Sequence, residues 1–372
     1  MAQNKVILWV VVVLIVLVGG YFLITAPTEE ETSPIKIGAA FPLTGDASIW
    51  GEVALNGIKL AVQEINDEGG INNRKIELIM EDTRSTSKDS VSAVSKLQNI
   101  DKVKSILVGW LDVYQGAESV LKPNTLMISP DAGIEAVNGV KIHPNVFSTW
   151  YRTQPKSELA IKHMANSGAK KLYIIAQNDS YYTTAVSYME EAAKKYGIEI
   201  VGKDMLNPGT DIQSILVKVA DKKPDVVFVA LYDEKENVGF LKKGKILLGS
   251  KIVVYGDEFV QQNYTRTDYN KDWFEGFYFY GPKIPNIKFF NKYKSVYNVD
   301  PVFGASTAYD SVYIIAKAVK DNPSDLDLYM RKTKFDTVSY GTVTFDTIGG
   351  ITTLENYFVM KQIKNGVSVD IK

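Results

Sequence analysis

The sequence predicts an α/β protein whose body folds as two doubly wound lobes. Three observations carry that prediction. Apolar strands alternate with amphipathic helices from Ile35 to Tyr255, the pattern of parallel sheets covered by helices on both faces. The alternation breaks near Val146–Gln154 and then restarts, so it falls into two runs. About 340 residues follow an N-terminal apolar stretch, more than one small core accommodates.

In chain order, the first segment is Val6–Ile24, an apolar run of 19 residues. That length spans a bilayer as one helix. Lys5 and the terminal amine precede the run, and Glu29, Glu30 and Glu31 follow it. The positive-inside rule therefore keeps the N-terminus in the cytoplasm and places the body outside. The alternative is a signal peptide with its apolar core at Val6–Val18, cleaved after Ala26. Against it, Ile24 is bulky for the position three before such a cut, and the run is long. Both readings export the body: a single-pass membrane protein in the first, a secreted or periplasmic one in the second. Residues 1–27 are thus an anchor or signal segment. Residues 28–34, polar and acidic, form a tether.

Ile35–Phe41 is an apolar strand. Ile49–Glu68 sets Ala54, Ile58, Ala61 and Ile65 on one helical face, and Gly69-Gly70 stops it. Ile76–Met80 is a strand, and Ser87–Asn99, with Val91, Val94 and Leu97, a helix. Ser105–Val108 and Leu126–Ser129 are short strands with a helix at Gln115–Leu121 between them. The second run reads strand Lys171–Ala176, helix Thr183–Lys195, strand Glu199–Val201, helix Asp211–Ala220, and strands Val226–Ala230 and Lys251–Tyr255. The tail departs from this rhythm. Gly276–Tyr280 is a strand, and Ile287–Tyr297, Thr307–Lys320 and Asp325–Lys332 are helices. Val338–Phe345 and Tyr357–Ile363 read as a closing pair of strands.

Composition excludes some chemistry. Without Cys the chain has no disulfide, no thiol nucleophile and no Cys acceptor for a lipid. A net charge of −1 and a pI near 6.2 do not point to a nucleic-acid partner. The 21 Tyr residues suit ligand clefts and wet interfaces, because each ring carries a polar tip.

The segment Pro42-Leu43-Thr44-Gly45, followed by Gly51, Asn56-Gly57, Leu60-Ala61, Ile65-Asn66 and Gly69-Gly70-Ile71, resembles the opening of the branched-chain amino acid (Leu/Ile/Val) type of extracytoplasmic solute-binding protein. Asp82 with Ala93 and Leu97, Asp211 with Leu216, Pro224-Asp225 and Ala308-Tyr309-Asp310 continue the likeness, which covers about Ile35 to Lys372. The resemblance implies the type I periplasmic binding protein fold: two Rossmann-like lobes, three crossovers, and a ligand between the lobes. The crossovers are expected near Thr149–Arg152, Gly281–Lys283 and Val338–Gly341. Lobe 1 is then 35–150 plus 282–338, and lobe 2 is 151–281 plus 339–372.

Loops at the carboxyl ends of strands line the ligand crevice of open α/β sheets, and helix N-termini there offer free N–H groups. Leu43–Trp50, Trp110–Gln115, Ser129–Glu135, Asn178–Thr183 and the pair Tyr232-Asp233 and Asp257-Glu258 occupy such ends. The resemblance then points to individual ligand contacts. Trp50 falls where the family sets an aromatic over the ligand. Tyr182 sits in a segment similar to Asp-x-x-Tyr-Gly, with Thr183 in place of the Gly; a shifted register would nominate Tyr181. Tyr232 matches a second-lobe aromatic. Glu258 matches the carboxylate that pairs with a ligand ammonium. The chain departs from amino-acid binders at Asp112 and Asp131, which replace the hydroxyl donors that grip a ligand carboxylate. Two acids there repel a carboxylate and favour a cationic, amide-like or polyhydroxyl ligand.

Each position also has a plainer reading. Trp50 serves equally as a packing anchor, Tyr182 and Tyr232 as two of many tyrosines, and Glu258 as a solvated loop residue. Asp112 and Asp131 are also natural helix caps. Enzyme signals are weak: His143 and His163 do not form a triad or a metal cluster. His163 is expected at the surface. Gly239–Ile246 resembles a phosphate loop, but it lacks the final Ser/Thr and its strand-to-helix context.

The expectation is a monomeric, non-enzymatic solute-binding protein of an ABC-type importer. It takes a small polar ligand (amino acid, amine or amide-like), needs no cofactor or metal, and docks on a permease. A ligand-sensing receptor subunit of the same fold is the alternative. A hydrolase using cleft carboxylates such as Asp112 and Asp131 is the remote one.

Overall fold

The computed structural model describes residues 33–371, apart from 46, 134–142, 233, 250, 266–268, 284–285, 302–303 and 353–356. The expected anchor at Val6–Ile24 lies outside the described residues, as does most of the tether. Among the described residues no helix is long and apolar enough to cross a membrane.

The first sheet has five parallel strands in the order β2-β1-β3-β4-β5. They are β1 (Ile35–Phe41), β2 (Ile76–Asp82), β3 (Ser105–Val108), β4 (Leu126–Ser129) and β5 (Val146–Ser148). β1 is buried along nearly its whole length because helices cover both its faces. Its Ile37 sits opposite Leu78 on one side and Ser105 on the other. Helices α1 (Ser48–Asp67), α2 (Ser87–Asn99) and α3 (Leu111–Ser119) connect the strands, and α3 starts earlier than the sequence suggests.

The second sheet has seven strands in the order β14-β13-β10-β9-β8-β6-β7. β6 (Lys171–Gln177), β7 (Glu199–Leu206), β8 (Val226–Ala230), β9 (Val253–Gly256) and β10 (Tyr278–Pro282) run parallel. β13 (Phe358–Lys364) and β14 (Val367–Ile371) close one edge antiparallel. The helices of this lobe are α4 (Thr153–Asn166), α5 (Ser180–Tyr196), α6 (Ile212–Lys222), α7 (Glu234–Leu248) and α8 (Phe259–Thr265). Gly239–Ile246 lies inside α7, so the residues that resemble a phosphate loop form no loop. His163 is half-buried rather than on the surface: its ring packs on Tyr255 and Tyr278, its Nδ1 lies 2.9 Å from the Tyr255 hydroxyl, and burial lowers its pKa.

The chain returns to the first lobe through α9 (Ile287–Tyr297), α10 (Ala305–Asp321) and α11 (Leu326–Lys332). α10 packs closely on α1. A Cβ on Gly57 would lie 2.0 Å from the Ala305 carbonyl oxygen, so only Gly fits this approach.

The third crossover lies later than Val338–Gly341. β11 (Phe335–Thr337) and β12 (Gly341–Val343) pair as a hairpin, and Gly350 bridges to Ser148 at the edge of the first sheet. Phe335, Val343, Phe345 and Ile351 are buried in the first-lobe core. Residues 339–351 therefore belong to lobe 1, and the chain enters lobe 2 between Ile351 and Phe358. Val338–Phe345 does not pair with Tyr357–Ile363. Phe335–Thr337 instead pairs with Gly341–Val343 in its own hairpin, and Gly341, at the start of β12, holds φ 75°. Tyr340 locks this segment to the first crossover by donating to the Thr149 carbonyl at 2.8 Å.

Candidate functional site

The carboxyl ends of both sheets face one cavity of about 70 Å³, counted as the volume water centres can occupy. A single water needs roughly 10–15 Å³ on that measure, so the space suits one small molecule and not a folded partner. Trp50, Asp131, Tyr182, Tyr232 and Glu258, nominated from sequence, all line it. Asp112 does not. It lies in the first turn of α3 and accepts a hydrogen bond from Ser180 Oγ at 3.3 Å, from one lobe to the other. The acids Asp112 and Asp131 thus do not share a cavity, and the hydrolase reading loses its residue pair.

Aromatic rings make most of the wall. Trp50 of lobe 1 meets Phe259 of lobe 2 edge-on, with centroids 4.7 Å apart. Trp110 of lobe 1 meets Tyr232 of lobe 2 at 6.2 Å. Tyr232 in turn stacks on Tyr182 at 6.1 Å. Trp150, on the first crossover, stacks on Tyr151 at 4.1 Å and also lines the cavity. The Trp50–Phe259 and Trp110–Tyr232 pairs join the lobes across the cleft.

Trp110 is placed by strain. It precedes α3 with φ 72°, a left-handed value that is uncommon for a bulky side chain and costs on the order of 1–3 kcal/mol. The Asp131 Oδ1 accepts its backbone N–H at 2.7 Å and holds the turn. Asp131 needs Gly109 beside it, because a Cβ there would come within 2.8 Å of Oδ2. That Oδ2 is buried and has no hydrogen-bond partner among the described residues. Burial pushes the Asp131 carboxyl up to about 7, against the opposing hydrogen bond from Trp110.

Asp179 caps α5 by accepting from the Tyr182 N–H at 2.7 Å. Burial raises its pKa, while bonds from Tyr182 and Tyr232 pull the other way.

Glu258 is 1% exposed, and its charge already has a partner inside the protein. Its Oε1 accepts from Lys156 Nζ at 2.5 Å, from the Tyr151 hydroxyl at 2.8 Å and from the Tyr181 hydroxyl at 3.0 Å. Lys156 is fully buried on α4. It also donates to the Tyr181 hydroxyl and lies over the rings of Tyr151 and Tyr181 at 4.6 and 4.7 Å. The expectation that Glu258 waits for a ligand ammonium is thus changed: Lys156 supplies the first cation. Oε2 remains buried and without a hydrogen-bond partner among the described residues. Neighbouring Asp257 accepts from the Tyr182 hydroxyl at 2.6 Å. Burial, with the charge of Glu258, pushes its carboxyl up to about 8. Both tyrosine registers read from sequence therefore serve this network, Tyr181 through Glu258 and Tyr182 through Asp257.

Sequence reasoning missed the site roles of Trp150, Phe259 and Lys156. Trp150 and Phe259 stand next to nominated positions, on the first crossover and after Glu258. Lys156 gives no local signal, because nothing in a helical Lys shows that it points inward.

A profile of the periplasmic binding protein family matches residues 34–366. The Leu/Ile/Val-binding protein BraC3 of Rhizobium johnstonii is 30% identical over 203 residues, 53% of this chain and 54% of that protein. The Leu/Ile/Val-binding protein homolog 3 of Brucella melitensis biotype 1 is 28% identical over 229 residues, 60% of this chain and 61% of that protein. The matched part spans little more than half the length of these curated relatives. Among solved structures, an ABC-transporter solute-binding protein of R. palustris in complex with benzoate has a TM-score of 0.78 at 19% identity, covering 91% of this chain and 95% of that one. LivJ of Streptococcus pneumoniae in complex with isoleucine has a TM-score of 0.74 at 23% identity, covering 91% and 99%. At these identities the structural likeness establishes the fold. The chain belongs to the periplasmic binding protein family.

Proposed function

We propose that this member of the periplasmic binding protein family is the extracytoplasmic solute-binding component of an ABC-type importer. It closes its lobes on one small polar molecule, an amino acid, an amine or an amide-like compound. The observation that carries the proposal is the cavity itself, set between the carboxyl ends of both sheets and walled by rings from both lobes. Trp50, Asp131, Tyr182, Tyr232 and Glu258 contact the ligand in this reading, and Asp112 acts at the rim through Ser180. The ligand stabilises the closed form because only that form offers contacts from both lobes at once. Closure then presents a surface to a permease. An N-terminal anchor at Val6–Ile24 would hold the body near the permease and raise its effective concentration there.

The test is a thermal-shift screen of the full-length chain against amino acids, amines, amides and aromatic acids. A ligand that binds only the native state raises the melting temperature. The expected result is a shift with one chemical class, lost in Tyr232→Ala. No shift across the whole panel contradicts solute binding.

A further inference from the structure

The charge of the cavity narrows the class of ligand. Three carboxyl groups line it: Asp131 from lobe 1, and Asp179 and Glu258 from lobe 2. Among the described residues that line it, none is Lys or Arg. Lys156 lies behind Glu258, with its ammonium already bonded to Oε1 and to Tyr181. The other oxygen of the pair, Glu258 Oε2, is buried and has no hydrogen-bond partner among the described residues. Asp131 Oδ2, on the opposite lobe, is in the same condition. Two buried acceptors with no donor are costly, and positive charge brought into the cavity beside these carboxyl groups offsets part of that cost.

The wall points the same way. Trp50, Trp110, Trp150, Tyr182, Tyr232 and Phe259 surround the space. Aromatic rings attract a cation through their quadrupoles, most strongly where water is excluded. A carboxylate ligand meets the opposite field. At Asp131 it would face a second carboxyl group, where no described side chain supplies a cation.

Building on the solute-binding reading above, we propose that the cavity selects a small organic cation. Its ammonium or quaternary ammonium group sits within the ring of aromatic side chains, between the carboxyl groups of Asp131 and Glu258, and its apolar body fills the remaining wall. Asp131 is the specificity-determining residue: it is the lobe 1 acid among the described residues that line the cavity. Lys156 offsets the charge of Glu258, which favours one monovalent cation over a metal ion or a polyamine.

The experiment compares matched probes on the full-length chain by titration calorimetry. The cations are choline, tetramethylammonium and benzylamine. The uncharged counterparts are 3,3-dimethyl-1-butanol, which replaces the nitrogen of choline by carbon, and benzyl alcohol. The carboxylate probes are L-leucine and benzoate. The expected result is at least one cation binding about tenfold or more tightly than its uncharged counterpart. In Asp131→Asn that preference shrinks, while the melting temperature without ligand does not fall. The wild-type comparison stands even if the variant folds poorly. Tighter binding of leucine or benzoate than of every cation overturns the inference and leaves solute binding intact. Silence from every probe also overturns it, and the wider panel above then decides separately whether the protein binds a solute at all.

Discussion

Replacing Lys156 by Met removes one ammonium and keeps most of the side-chain stem. The ammonium lies 2.5 Å from Glu258, and the two side chains are 0% and 1% exposed. With an effective dielectric near 20, the attraction at that distance is 332/(20 × 2.5), or roughly 7 kcal/mol. Desolvation of the two ions costs several kcal/mol each, so the intact pair nets little. Removing one member is different. Glu258 keeps its desolvation cost, loses its counter-charge, and still sits beside Asp257. The expected loss of stability is about 3–5 kcal/mol, the range for breaking a buried pair from one side. Urea unfolding at pH 7.5 measures it across wild type, Lys156→Met, Glu258→Gln and the double variant. The double variant should recover most of the loss, because no unpaired charge remains, and the coupling energy should then exceed the part of the Lys156→Met loss that is recovered. A Lys156→Met protein within about 0.5 kcal/mol of wild type would refute the reasoning, since solvated ion pairs give values of that size.

Three further outcomes follow from the same geometry. Gly57→Ala drives a methyl into the Ala305 carbonyl oxygen at 2.0 Å and should destabilise by about 1–3 kcal/mol, read as a lower melting temperature. Tyr182→Phe strips Asp257 of a buried 2.6 Å hydrogen bond and should cost about 1–3 kcal/mol by urea unfolding. Asp257 has a folded pKa raised to about 8, against about 3.9 when unfolded. The folded state thus binds more protons between these values. Its stabilising contribution is fully present below about pH 4 and is lost as pH rises to about 8. Asp257→Asn keeps an acceptor for Tyr182 and removes the titration. Its melting temperature should gain on wild type from pH 5 to pH 8, and a constant difference across that range contradicts the assignment.

Much of the fold is written in local pattern. Ile35–Phe41, Ser87–Asn99, Val226–Ala230 and Ile287–Tyr297 run over the same residues in sequence and structure, because each joins a clear apolar period to a cap or a stop. The tail was harder. Val338–Phe345 and Tyr357–Ile363 both read as strands, but which strand pairs with which depends on the lobe each segment packs against, and alternation is blind to that. The hairpin at 335–343 and the late crossover follow from burial of Phe335, Val343 and Phe345 in lobe 1. The site divides in the same way. Trp50, Asp131, Tyr182, Tyr232 and Glu258 stand at strand ends or helix starts, where topology alone brings them to one cavity. Asp112 stands at such an end too, yet it faces Ser180 and not the cavity, a matter of one step around a helix turn. Lys156 emerges only in three dimensions. It enters from a helix of its own, and its burial is paid for by Glu258 and three tyrosine rings.

The central claim is that one small molecule binds between the lobes. Three of the five Trp residues, Trp50, Trp110 and Trp150, line the cavity, so the protein carries its own reporter. The most direct measurement is a tryptophan-fluorescence titration of the full-length chain with a compound that raises its melting temperature, repeated on Trp50→Phe and Tyr232→Ala. The expected result is a saturable change with a stoichiometry of one, weakened in both variants. A saturable change that neither variant alters would place binding outside the cleft and contradict it.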